Sequence, residues 1–259
     1  MGALEGKTAL IFGVANHNSI AWAITQKLAA EGVKLALTYQ ERMEQNVRKL
    51  AATLDNPLVL PCDVQSDSDL DTTFEKVGSE FGGLDILVHC VAFAPTDDLK
   101  GRVSKVSRAG FLTAHDISAY SLLAMAGRAE PLMVGRGGGS ILALTYLGSE
   151  RVVPGYNLMG MAKASLEAAI RYLAWDLGPQ NIRVNGISAG PLRTLSARGV
   201  GNINDMFTLV EQVTPLRKNV EQQDVGEVAA YLLSPAAKAI TGDIVYVDNG
   251  FHVMGVGAM

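Results

Sequence analysis

The stretch Lys7-Thr8-Ala9-Leu10-Ile11-Phe12-Gly13-Val14-Ala15-Asn16-His17-Asn18-Ser19-Ile20-Ala21 decides the fold. Lys7 to Phe12 is a short apolar run of strand type that stops at Gly13. After V-A-N-H-N-S the pattern changes period, with apolar residues at Ile20, Ala23, Ile24, Leu28 and Ala29, as on an amphipathic helix. Strand, glycine turn and helix N-terminus together form an anion site, because the first backbone N–H groups of a helix have no partner within it. Ser19 suits either the cap of that helix or a donor to a phosphate. Gly13 is the only glycine of the turn, so the motif departs from G-x-G-x-x-G, and taken alone it is also compatible with a plain structural turn. A second strand, Val33 to Tyr39, ends at Gln40, where a doubly wound fold reads the adenine ribose of a dinucleotide.

Outward from this segment the same unit repeats. Strands are expected at Leu58 to Cys62, Leu84 to Val91, Ser140 to Leu147, Ile182 to Ser188 and Ile244 to Val247, giving seven with the first two. Most are continuous apolar runs, the signature of a parallel sheet covered on both faces. Helices are expected between them at Glu41 to Leu54, Ser68 to Phe81, Arg108 to Met133, Gly155 to Leu177 and Asp224 to Leu233. The alternation predicts one α/β domain over residues 1–259, a doubly wound Rossmann-type seven-stranded parallel sheet with ligands at the carboxyl ends of its strands. The G-R-G-G-G run at 135–139 reads as a loop before a strand.

Composition narrows the class. With 259 residues and 48% hydrophobic content, the chain can bury one large core. It has no signal-peptide pattern and no apolar run long enough to span a bilayer, so the expected location is the cytoplasm. A net charge of −4 gives no reason to expect nucleic acid or an acidic membrane as partner. Cys62 and Cys90 sit at strand ends and read as small buried hydrophobes. His17, His89, His115 and His252 lack metal-ligand spacing, so no metal is expected.

The strand ends nominate a site. Asp63 suits an acceptor for an adenine amino group, or equally a helix cap. Cys90-Val91-Ala92-Phe93-Ala94-Pro95 would pass beneath a cofactor, and Ala189-Gly190-Pro191-Leu192-Arg193-Thr194 would flank its nicotinamide. Residues 195–205 show no regular pattern and read as a mobile lid or an ordinary surface loop. In P-G-Y-N-L-M-G-M-A-K, Tyr156 and Lys163 stand seven residues apart. That is about two helical turns at ~3.6 residues per turn, so phenol and ammonium face one spot, suited to a reaction that builds an oxyanion.

These residues carry a resemblance over essentially the whole chain. The pieces are G-V-A-x3-S-I-A (13–21), H-x3-F-A-P (89–95), Y-L-G-S-E-R-x2-P-x-Y-N-x-M-G-x-A-K-A-S-L-E-A (146–168) and S-A-G-P-x-R-T-L (188–195). The chain resembles the NADH-dependent enoyl-acyl-carrier-protein reductases of bacterial type II fatty acid synthesis, within the short-chain dehydrogenase/reductase superfamily. Ordinary members of that superfamily place tyrosine four residues before lysine; here that position is Met159, and tyrosine is at Tyr156. Three helical positions are ~4.5 Å along the axis. The shift suits a phenol that must reach a thioester oxygen, beyond the carbon that accepts hydride.

The resemblance implies catalytic roles for Tyr156 and Lys163, with support from Tyr146. It implies dinucleotide contacts by Gly13, Ser19, Ile20, Gln40, Asp63, Val64, Val91, Lys163, Leu192, Arg193, Thr194, Leu195 and Ser196, a contact by Ala94 with the acyl chain or an inhibitor, and a substrate lid around 192–210. It further implies an acyl carrier protein as partner and a homotetramer with twofold symmetry. Gln40 and Glu41 favour NADH, since Glu41 would repel a 2′-phosphate, while Arg42 argues the other way. Ala92 stands where relatives commonly have glycine, and Cys90 and Thr145 where serine is frequent. Residues 201–205 lack the basic side chains that some relatives present to the acidic carrier, leaving Arg193 and Arg198. A carbonyl reductase of the same superfamily and a non-catalytic dinucleotide-binding regulator are the alternatives; the missing tyrosine at 159 opposes the first, and the joint presence of Tyr146, Tyr156 and Lys163 the second.

Overall fold

Each apolar run becomes a strand: β1 (Thr8–Phe12), β2 (Lys34–Tyr39), β3 (Leu58–Pro61), β4 (Ile86–His89), β5 (Gly139–Thr145), β6 (Ile182–Ala189) and β7 (Ile244–Val247). In this computed structural model, residues 2–194 and 203–255 are described. The strands form one seven-stranded parallel sheet in the order β3-β2-β1-β4-β5-β6-β7. Strand order therefore reverses between β1 and β4, where Phe12 lies opposite His89. The crevice beyond that pair, at Gly13 and Cys90, is the switch point at which this class of sheet binds ligands.

The absence of alternation in the strands has a direct cause. Ala9 and Ile11 of β1 point into one apolar layer and Leu10 and Phe12 into the other; β4 divides the same way, with Ile86 and Val88 opposite Leu87. One layer is closed by helices α1 (Ile20–Ala30) and α2 (Glu44–Ala51) together with a later helix at Gln222–Leu233. The other is closed by α3 (Asp67–Phe81) and by the helices at Ser121–Val134 and Asn157–Leu177. Fully burying each Leu, Ile or Phe contributes about 1.5–3 kcal/mol, so both faces of the sheet are strongly fixed.

Four features depart from the periodicity. A short helix α4 (Thr96–Lys100) follows the β4 loop. The long helix expected from Arg108 is interrupted: α5 (Arg108–His115) passes through a π-helical turn at Asp116–Tyr120 into α6 (Ser121–Val134). Helix α7 (Asn157–Leu177) starts one residue after Tyr156, which occupies its cap position. Part of the irregular lid segment is also helical, because α8 (Ile203–Val213) begins inside it; residues 195–202 lie outside the described residues. Helix α9 (Gln222–Leu233) carries a reciprocal cap between Glu221 and Asp224, which fixes its start.

Candidate active site

A cavity of about 470 Å³ opens along the carboxyl ends of the strands, on the scale of a small-molecule site. At its floor, Gly13 adopts φ +101°, and a Cβ there would overlap the Cys90 carbonyl. Only glycine lets β1 and β4 approach this closely in that conformation. Ser19 stands at the cap position of α1, yet its hydroxyl turns back to accept hydrogen bonds from the Ala15 and Asn16 N–H groups at 3.1 and 2.9 Å. It shapes the turn, and the start of α1 keeps free N–H groups facing the cavity.

Gly13, Ser19, Ile20, Gln40, Val64, Val91, Ala94, Tyr146, Tyr156, Lys163, Leu192 and Thr194 line this cavity. Two expected residues lie elsewhere. Asp63 is exposed; its carboxylate accepts from the Gln65 N–H at 3.0 Å, and the cap of α3 is Ser66. The Arg193 guanidinium stacks over the Phe207 ring at 4.3 Å. Leu195, Ser196 and Arg198 fall outside the described residues. At the end of the cavity beyond β2, Arg42 donates to the Gln40 side-chain oxygen from Nε at 3.2 Å and Nη2 at 2.9 Å.

At the other end, the Tyr146 and Tyr156 rings meet edge to face, 4.9 Å apart at 70°. Two glycines make room for this pair. A Cβ on Gly148 would overlap the Tyr156 ring, and one on Gly160 would sit 2.6 Å from the Gly148 carbonyl. Lys163, buried two turns into α7, donates from Nζ to the Leu144 carbonyl at 2.6 Å. Met159 is buried and also lines the cavity.

Burial sets the charge states. It pushes the Tyr156 phenol above its ordinary range, with Tyr146 and Glu167 acting the same way, and raises Tyr146 to about 12. Both phenols therefore stay protonated at neutral pH. Burial lowers Lys163 to about 8, opposed by Cys90 and Glu167. The expectation of a strand-end cysteine as a small buried hydrophobe fits Cys62; both cysteines line the cavity, and Cys90 is partly exposed to it, its thiol raised by burial to about 12. Among the described residues, no group of three or more His, Cys, Asp or Glu is placed to hold a metal ion.

Three elements around the cavity were not legible in the strand-end pattern. Ser118, on the π-helical turn, accepts from the Phe93 N–H at 3.0 Å and donates to its carbonyl at 3.2 Å, fixing the loop after β4. Asn157 donates to the Leu99 and Gly101 carbonyls and ties α4 to the start of α7. Met206 of α8 reaches over Tyr146, whose hydroxyl lies 3.8 Å from its sulfur. A single serine on a π-helical turn and an asparagine at a helix start give no periodic signal, so contact alone identifies them.

The sequence model described as Enoyl-(Acyl carrier protein) reductase matches residues 13–252. The chain belongs to the enoyl-acyl-carrier-protein reductase family. It is 53% identical over 257 residues to the enoyl-[acyl-carrier-protein] reductase [NADH] of Nostoc sp., covering 98% of this chain and 99% of that one. It is 50% identical to the enoyl-[acyl-carrier-protein] reductase [NADPH] of Staphylococcus aureus over 97% of this chain and 98% of the other. Among solved structures, the Bacillus cereus enoyl-acyl carrier protein reductase with NADP+ and an indole naphthyridinone superposes with a TM-score of 0.96 and 52% identity. That match covers 99% of this chain and 100% of the other. As an enoyl reductase, the chain carries Met159 at the position where ketone reductases of the superfamily carry tyrosine.

Proposed function

We propose that this enzyme uses NADH to reduce the trans-2 double bond of an enoyl thioester presented by acyl carrier protein, in fatty acid elongation. The observation that carries the reading is that Tyr156 and Lys163 line one cavity while Met159 takes the superfamily's tyrosine position. The residues fit a dinucleotide: the glycine-floored turn and the free end of α1 suit a pyrophosphate, and Gln40 stands at the ribose position.

NADH, when bound, would supply hydride for C3 of the acyl chain; the negative charge that then builds on the thioester oxygen is discharged when C2 takes a proton from solvent. Tyr156 meets that charge as a neutral hydrogen-bond donor, the role of an oxyanion hole. The raised pKa of Tyr156 and the engagement of Lys163 with Leu144 speak against a phenolate partner for the ammonium and support its role at the cofactor ribose. Tyr146 backs the Tyr156 ring, and Ala94 contacts the acyl chain. The proposed dinucleotide contacts are Gly13, Ser19, Ile20, Gln40, Val64, Val91, Leu192 and Thr194 from the cavity lining, continued by Leu195 and Ser196 beyond the described residues, with a lid over residues 192–210. Purified enzyme should oxidise NADH with a trans-2-enoyl thioester and not with the 3-oxoacyl thioester of equal length. Faster turnover of the 3-oxoacyl compound overturns the reading.

The preference for NADH rests on Gln40 and Glu41. Arg42, the residue best suited to a 2′-phosphate, is bonded to Gln40. A titration in which NADPH binds more tightly than NADH reverses this choice. A homotetramer is supported by large exposed side chains on α5 to α7: Leu112 on α5, Leu123 on α6, and Tyr172 (76%) and Trp175 (81%) on α7. Light scattering tests it. The cytoplasm is the matching location; among the described residues, no helix is long and apolar enough to cross a membrane.

A further inference from the structure

Glu167 is a carboxylate in a place where carboxylates are rare. It is 4% exposed, on α7, one turn beyond Lys163. The Thr145 hydroxyl donates to its Oε1 at 2.5 Å, within the range of charge-assisted O–H···O⁻ bonds. Thr145 ends β5, directly between Leu144, whose carbonyl accepts from Lys163, and Tyr146, whose ring supports Tyr156. Two side chains one turn apart on a single helix thus grip adjacent residues of one strand end.

A buried ammonium needs an opposite charge, because desolvation alone favours its neutral form. Of the groups facing Lys163, His89 and Cys90 come from the end of β4, Tyr146 from the end of β5, and Tyr156 and Glu167 from the α7 segment. Tyr246 and Asp248, from β7 and just after it, face Glu167 and Tyr146. The thiol, the three phenols and the imidazole are neutral near pH 7. Asp248 is already bonded to His252 at 3.0 Å. The offsetting charge is Glu167.

We propose that Glu167 is a positioning residue: anchored by Thr145, its carboxylate keeps Lys163 charged and seated for the cofactor and fixes the strand end that carries Tyr146. This rests on the reading that Lys163 holds the cofactor ribose.

The test is NADH binding by fluorescence titration from pH 6 to 9 in the full-length enzyme. Wild-type affinity should fall as pH rises through the Lys163 transition near 8. In Glu167→Gln, which keeps an acceptor for Thr145, loss of the negative neighbour lowers the lysine pKa. The fall should therefore come about one pH unit earlier, leaving binding about fivefold weaker near pH 8, approaching tenfold by pH 9, and little changed at pH 6. A profile superimposable on wild type overturns the proposal. Lys163→Met separates the two readings. If it binds NADH as wild type does, the role of Lys163 itself fails; if it loses binding while Glu167→Gln is unshifted, only the role of Glu167 fails. Should Glu167→Gln not fold, Thr145→Val tests the anchor, with Thr145→Ser as its conservative control. The valine variant should raise the KM for NADH several-fold and lose about tenfold in kcat, while the serine variant keeps both. Equal kcat in the two contradicts the proposal.

Discussion

The Tyr156 ring rests edge-on against Tyr146, its position held by the close approach of Gly148 and Gly160. An aromatic pair of this geometry adds about 0.5–1.5 kcal/mol beyond burial, enough to keep a cap residue outside the regular helix in one orientation. On this account the hydroxyl of Tyr156 does the chemistry and Tyr146 orients it. Tyr156→Phe should then bind NADH with wild-type affinity and lose about 10²-fold in kcat, whereas Tyr146→Phe loses less. Steady-state kinetics with a trans-2-enoyl thioester, beside an NADH titration, distinguish the two.

Lys163→Ala should act on the other substrate. Removing a charged donor from a ribose contact weakens NADH by roughly ten- to a hundredfold. An alanine variant with full NADH affinity contradicts the assignment.

Gly160→Ala places a methyl group 2.6 Å from the Gly148 carbonyl, which must move away and release the Tyr156 ring. The expected result is a lower melting temperature together with a lower kcat. A thermal scan and an activity assay on the same preparation check both; an alanine variant with wild-type values shows that the contact does not position Tyr156.

His89 gives the protein an acid limit. Ser121 donates to the Ile117 carbonyl at 2.6 Å, so His89 donates from Nε2 to the Ser121 oxygen at 2.8 Å, and Nδ1 is left buried without a partner. Burial, with Lys163 nearby, lowers His89 from its usual 6.5 to about 3. A depressed pKa means the unfolded chain binds the proton first. The stability contribution is therefore complete above pH 6.5 and is lost as pH falls toward 3, at up to about 1.4 kcal/mol per pH unit. Denaturant unfolding as a function of pH should show this slope, and His89→Gln should flatten it; parallel slopes in the two proteins contradict the account.

The sheet was readable because both of its faces are buried: runs such as Ala9 to Phe12 are apolar throughout, and Gly13 marks the one turn where β1 must touch β4. Most cavity residues were readable for the same reason, since strand ends and the first helix turn are fixed by topology. What was missed depends on contacts between distant segments. The π-helical turn that presents Ser118 to Phe93, the Asn157 bridge to α4 and the Gly148–Gly160 contact leave no periodic trace. Helix α8 was hidden behind Gly199 and Gly201, which break the local pattern. Glu167 did leave a mark, as a lone acid on the apolar face of A-S-L-E-A four residues after Lys163, but its bond to Thr145 gives that mark its meaning.

The most direct test is a crystal structure of the enzyme with oxidised cofactor and an unreactive enoyl thioester, in which the distance from Tyr156 Oη to the thioester oxygen is measured. The account predicts a hydrogen bond of about 2.7 Å, with the acyl β-carbon facing the nicotinamide. A Tyr156 hydroxyl turned away from that oxygen, with another donor in its place, contradicts it.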